Sequence, residues 1–291
     1  MNFIIRLKET VIKKIFKSVY LPGHFYSTVP EKEDILSFFR NNTIQIDTCL
    51  GIDLNSEVQK DHLKKIYQFY SEVCFPEFKV NTSLYYSKND FFVHSDAIYL
   101  YSIIRIYKPC KIIEIGSGFS SAVMIDTFNQ IKHKASLTFI DPYPSRLNNV
   151  LAFLPPNEYV DYNIISFKVQ TIDFELFSDL EENDILFIDS SHVSKIGSDL
   201  NYLLFNIIPK LKTGVIIHFH DIFFPFEYPK DWLLEGRNWN ECYLLRAFLL
   251  FNNSFEILLF NNYIVKELAN CIEGMVNLQA SGGSLYLKKI N

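Results

Sequence analysis

An α/β fold built on a parallel sheet is what the sequence predicts, and three observations carry that expectation. From Lys111 onward, short apolar runs alternate with segments of helical spacing. Those runs are predominantly apolar, as strands covered on both faces are, with single polar residues such as Glu114 and His218 among them. The first of them ends in a glycine turn, Gly116 and Gly118, directly before a helical stretch. Periodicity by itself specifies an α/β fold and no strand order.

Size and composition set the limits. With 291 residues, 48% of them hydrophobic, the chain can bury a substantial core in one large domain or in one domain plus an extension. The 28 basic and 33 acidic side chains are dispersed and sum to −5, which leaves no basic field for nucleic acid. Cysteines 49, 74, 110, 242 and 271 are odd in number and lack CxxC spacing, so reduced thiols in a cytoplasmic protein are expected, without structural zinc. No apolar run reaches the roughly 18 residues that span a bilayer, and the N-terminus lacks a small-residue cleavage site. None of these features specifies an oligomeric state.

The elements follow in order. Asn2 to Tyr20 has helical spacing with a basic face, which suits an anionic membrane surface; packing of its apolar stripe on the main domain accounts for the pattern more simply. Pro22 and Gly23 end it. Glu31 to Arg40 and Ser56 to Cys74 read as two more helices, and residues 1–84 are assigned to a helical extension, 85–291 to the main domain. Phe91 to Tyr107 reads as a helix, with His94 and Asp96 near its start either facing the cofactor or, more simply, serving as caps or solvent-facing groups. Strands are expected at Ile112–Ile115, Leu137–Ile140, Ile164–Val169, Ile185–Ile188 and Val215–Phe219, then a helix from Trp239 to Phe251 and two closing strands, Phe255–Phe260 and Ser284–Lys289.

Loops that follow parallel strands emerge on one edge of the sheet, where ligands of open α/β folds bind. Glu114, Asp141, Gln170, Asp189, His220 and Asp221 are therefore expected around one crevice. The glycines let the backbone approach a ligand closely, and the N–H groups opening the next helix favour a negative charge. An acid at the end of the second strand can accept both hydroxyls of a ribose.

Taken together, Glu114-x-Gly116-x-Gly118, Asp141, the segment DILFIDSSHV (Asp184 to Val193) and the segment GVIIHFHDIF (Gly214 to Phe223) resemble the class I S-adenosylmethionine-dependent methyltransferases. The resemblance covers roughly Tyr85 to the C-terminus. It implies a Rossmann-like, doubly wound seven-stranded sheet in the order 3-2-1-4-5-7-6. It also implies S-adenosylmethionine as cofactor, with Glu114, Gly116, Ser117, Gly118, Ser120, Asp141, Pro142, Gln170 and Asp189 holding it. A nicotinamide-dependent oxidoreductase shares the glycine turn, but its fingerprint has a third glycine where Ser121 stands. A non-catalytic Rossmann-like binding module is the remaining alternative.

Methyl transfer from a sulfonium needs in-line alignment and an activated acceptor. A hydroxyl acceptor, of a small molecule or a glycan precursor, has to lose its proton to a base or bind a metal. Three readings of the polar cluster stand side by side. Asp189, His220 and Asp221 could bind a divalent ion, mixed nitrogen and oxygen ligands favouring a transition metal. His192 or His220 could be the base, with Asp221 or Asp189 orienting its ring. Or the histidines only fasten loops together. Downstream, Trp232, Arg237 and Trp239 offer stacking surface for a substrate wall or simply anchor a long loop.

Overall fold

The structure, a computed structural model, describes residues 19–41, 49–153 and 157–291. The helix expected over Asn2–Tyr20 falls almost wholly outside them. Among the described residues seven segments are strands: β1 (Lys111–Ile115), β2 (Ala135–Ile140), β3 (Val160–Ile165), β4 (Ile185–Ile188), β5 (Ile216–Phe219), β6 (Phe255–Phe260) and β7 (Leu285–Lys289). They form one sheet in the order β3-β2-β1-β4-β5-β7-β6, in which β1 to β5 pair in parallel and β7 runs antiparallel between β5 and β6. The expected seven-stranded doubly wound architecture is therefore present.

Centrality explains the legibility of β1. It has β2 on one side and β4 on the other, so Ile112, Ile113 and Ile115 are buried, with Glu114 the one polar side chain among them. Each such side chain contributes about 1.5–3 kcal/mol relative to exposure. Ile115 lies opposite Ile140 and Ile188, so the central strands end level with one another. The ladder continues one residue past each end: Gly116 N donates to Ile140 O, Asp189 N to Ile115 O, Asp141 N to Ile165 O and His220 N to Ile188 O. Those four residues are thus fixed by backbone in one row along the carboxyl edge. After β3 the chain crosses back to the other side of β1, so the strand order reverses between β1 and β4, the usual place of a ligand crevice.

One strand is displaced from its expected position. The run Ile164–Val169 was expected to form the third strand, yet β3 covers Val160–Ile165 and the chain turns at Val169–Thr171. As an edge strand, β3 pairs only with β2, and Asp161, Tyr162 and Asn163 face solvent. Register with β2 sets its bounds, and an exposed edge gives little apolar signal.

Among the described residues the α-helices are α1 (Lys32–Asn41), α2 (Ser56–Phe69), α3 (His94–Tyr107), α4 (Phe119–Ile131), α5 (Ser145–Leu151), α6 (Glu175–Ser178), α7 (Asp199–Tyr202), α8 (Lys230–Leu234), α9 (Glu241–Leu249) and α10 (Asn261–Glu267). None among the described residues is long and apolar enough to cross a membrane.

The chain divides into two units, Cys49–Glu227 with Asn240–Asn291, and Met1–Thr48 with Tyr228–Trp239. The helix α2 belongs with the sheet: buried Gln59 accepts from Phe260 N and donates to Leu54 O, and Ser56 Oγ meets Tyr263 OH at 2.7 Å. In the smaller unit Trp232 and Trp239 meet edge to face at 5.4 Å, and the Arg237 guanidinium lies 4.2 Å from the Trp232 ring. These side chains, considered above as a substrate wall, are engaged with one another.

Candidate active site

The glycine turn is sterically committed. Gly116 has φ +77°, and a Cβ added there would stand 2.1 Å from the carbonyl oxygen of Asp189. Only glycine allows β1 and β4 to end this close together. Beyond the turn, Asp141 Oδ2 accepts from Ser117 N at 3.2 Å and Ser117 Oγ at 3.0 Å, while Oδ1 accepts from Tyr143 N at 2.8 Å. An ionised carboxylate has about four lone-pair sites, so one is left for a further donor. The turn and the acid at position 141 are therefore joined in one constellation.

Glu114 reaches this constellation from below. It is fully buried, and its two carboxyl oxygens accept from Ser120 Oγ and Ser121 Oγ. Its side chain fastens the start of α4 to β1, and Ser120 is occupied in the same contact. Burial pushes the Glu114 carboxyl up to about 8, only partly offset by the two serine hydroxyls. A group whose folded pKa lies above its unfolded value of about 4.5 stabilises the fold fully below 4.5. That contribution is lost as pH rises through about 8. Glu114→Gln is accordingly expected to flatten the pH dependence of urea unfolding between about pH 5 and pH 8, where the wild type loses on the order of 3–5 kcal/mol. An unchanged slope would contradict a protonated Glu114.

A cavity of about 380 Å³ opens on the carboxyl edge, lined by Gly116, Asp141, Pro142, Gln170 and Asp189 together with Lys168 and Lys195. Its size suits a small-molecule cofactor. Gln170 closes one side by donating to Gly197 O at 2.9 Å. Five of the residues expected to hold the cofactor thus share one cavity; Glu114, Ser117, Gly118 and Ser120 form the turn beside it. The acceptor site remaining on Asp141, at the border of a cavity of this size, fits a nucleoside-bearing cofactor.

Beside Asp189 lies the polar cluster. His192 Nε2 stands 3.3 Å from Asp189 Oδ1 and 3.7 Å from Asp221 Oδ2, and His220 Nε2 stands 3.6 Å from Asp221 Oδ1. On the far side of its ring, His192 Nδ1 contacts Glu241 Oε2 at 2.7 Å. Glu241 opens α9, whose first N–H groups, of Asn240 and Glu241, donate to His192 O. Both His192 (φ 59°) and Asp221 (φ 57°) adopt the left-handed backbone region, uncommon for such residues and frequent where a site dictates geometry.

The electrostatics separate the two histidines. Burial works against charge on His192, but hydrogen bonds to Asp189 and Glu241 raise its pKa well above the usual 6.5, so it stands as an imidazolium at neutral pH. Burial lowers His220 as well, and the carboxylates of Asp221, Asp189 and Asp96 outweigh it, leaving its pKa raised. Asp189 is pushed up by burial yet held below the ordinary carboxylate range, chiefly by the His192 hydrogen bond. His218, sharing a strand face with His220, is buried and stacked 3.8 Å from Phe187; burial and the neighbouring His220 keep it neutral.

One expectation changes, and one of three readings is not shown. Asp189, His220 and Asp221 were read as possible ligands of a divalent ion; His192 Nε2 stands within 3.3 Å of Asp189 Oδ1 and 3.7 Å of Asp221 Oδ2. Among the described residues no group of three His, Cys, Asp or Glu is arranged to hold a metal. Asp96 is neither a cap nor solvent-facing. It is 1% exposed and accepts from Asn261 Nδ2, Ser284 Oγ and Gly283 N. Gly283 in turn accepts from Ile222 N and packs so tightly on Asp221 that a Cβ would meet Asp221 Cα at 2.9 Å. Asp96 therefore anchors the loop that places Asp221. Glu241 escaped sequence reasoning because its partner lies 49 residues away, and only its position in a helical first turn was visible.

A family model described as "Methyltransferase domain" matches residues 113–222. An uncharacterized protein of Archaeoglobus fulgidus is 35% identical over 185 residues, which is 61% of this chain and 80% of that protein. Among solved structures, the chain is similar to SAH-bound Podospora anserina methyltransferase PaMTH1, with 14% identity and a TM-score of 0.42 over 91% of this chain and 99% of that one. It is also similar to a DUF574-family protein of Streptomyces avermitilis, with 10% identity and a TM-score of 0.44 over 66% and 80%. The sheet order that reverses beside a glycine turn, the acid at the end of β2 and the matching domain agree with one another: the chain belongs to the class I S-adenosylmethionine-dependent methyltransferases.

Proposed function

We propose that this methyltransferase acts on a hydroxyl oxygen of a small molecule or glycan building block, with His220 as the base that takes the hydroxyl proton. The observation that carries the reading is the cluster at the ends of β4 and β5, in which one histidine is fixed as a cation and the other is poised to titrate. When bound, S-adenosylmethionine supplies an electrophilic methyl group on sulfur. The chain supplies the rest. Gly116 and Gly118 let the backbone approach the cofactor, Asp141 accepts from its ribose, and Pro142 and Gln170 border the same cavity. His192, held between Glu241 and Asp189, keeps the two aspartates from repelling each other across the site. Asp221 stabilises the charge that His220 gains on taking a proton, the ordinary role of a carboxylate beside a catalytic imidazole.

Calorimetry with S-adenosylhomocysteine tests the cofactor, and binding is expected where NAD gives none. The reverse result would assign the cavity to a dinucleotide. Methyl transfer to hydroxyl acceptors after dialysis against EDTA tests the base, and the rate is expected to persist. Loss of the rate with recovery on adding Mn²⁺ would instead give Asp189, His220 and Asp221 to a metal, with the His192 ring displaced.

A further inference from the structure

Arg146, in the first turn of α5, is held in place by its stem and one face of its guanidinium, with no salt bridge to a carboxylate among the described residues. Its stem lies flat on the bare backbone of Gly118, where an added Cβ would stand 2.7 Å from Arg146 Cδ and 3.3 Å from Cγ. Its guanidinium sits 3.7 Å from the centroid of the Phe91 ring, and that ring is stacked in turn on Phe119, 6.0 Å away and 11° from parallel. Three segments thus fix one cation: the loop before α3, the start of α4 and the start of α5. Arg105 and Arg237 each pair with a carboxylate, whereas among the described residues no salt bridge engages Arg146. Its charge is also felt across the site, as one of those that hold the Asp189 carboxyl low.

A guanidinium pinned by its stem and one face keeps its N–H fork available, and that fork matches a carboxylate with two parallel hydrogen bonds. It lies on the second glycine of the turn whose first glycine lines the cofactor cavity. Resting on the cofactor reading above, we propose that Arg146 binds the carboxylate of the cofactor's amino-acid tail, the one anionic group that S-adenosylmethionine and S-adenosylhomocysteine carry. Gly118 then has two duties, opening α4 and leaving room for the arginine stem.

The test is a binding cycle on the full chain, read by calorimetry. S-adenosylhomocysteine is compared with 5′-methylthioadenosine, which keeps the nucleoside and sulfur but lacks the amino-acid tail. Arg146→Ala is expected to weaken S-adenosylhomocysteine by about 10- to 100-fold, the value of a charge-assisted hydrogen bond, and to leave 5′-methylthioadenosine within about twofold. Arg146→Lys, which keeps the charge without the fork, is expected to fall between. If Arg146→Ala weakens both ligands alike, or neither, the carboxylate role is overturned while the cofactor reading stands. If the wild type binds neither nucleoside, the cofactor reading fails and this proposal with it.

Discussion

Replacing His220 with alanine is expected to lower kcat by about 10²- to 10⁴-fold, the usual worth of a positioned base, while the affinity for S-adenosylhomocysteine stays within about twofold. His220 does not line the cofactor cavity, so binding and turnover separate. The pH profile carries the finer signature. A base works only when unprotonated, and Asp221, Asp189 and Asp96 hold the His220 pKa above 6.5 against the effect of burial. Wild-type kcat/KM should therefore rise with pH and level off only above about 6.5, and the alanine variant should lose that acid limb. Asp221→Asn removes one of the raising charges and should move the limb to lower pH. A His220→Ala enzyme with the wild-type rate and limb would end the base assignment.

Gly116→Ala is expected to cost the cofactor site as a whole. A methyl group there would overlap the Asp189 carbonyl oxygen at 2.1 Å, and backbone cannot swing aside as a side chain can. The strand ends would have to separate, moving Gly116 and Asp189 together. A loss of S-adenosylhomocysteine affinity of at least about 100-fold is expected, equivalent to about 3 kcal/mol. Gly236→Ala is the control, because Gly236 shares the left-handed backbone (φ +85°) but has nothing within 4 Å of an added Cβ. It should show only the conformational penalty of about 1 kcal/mol in unfolding experiments, with binding unchanged. Equal binding by Gly116→Ala and the wild type would show that the turn does not shape the site.

How far each feature could be read depended on the range of the forces behind it. The strands β1, β2, β4 and β5 were legible because most of their side chains are buried, and that requirement is written along each as a predominantly apolar run. Gly116, Gly118 and Asp141 were legible for a related reason, since a tight turn and the acid after the next strand are set by local backbone geometry. The edge strand β3 was misplaced because half its surface faces water and its bounds come from register with β2.

The sequence by itself determined the α/β alternation, the glycine turn and the row of polar residues at the strand ends. Only the tertiary structure decided what those residues do to one another. Glu241 and Asp189 make His192 a cation, Asp96 positions Asp221 through Gly283, and Phe91 and Gly118 pin Arg146. These partners sit on different elements of the fold, and no local pattern encodes their meeting. Burial and charge at such contacts depend on three-dimensional distance, which periodicity along the chain does not record.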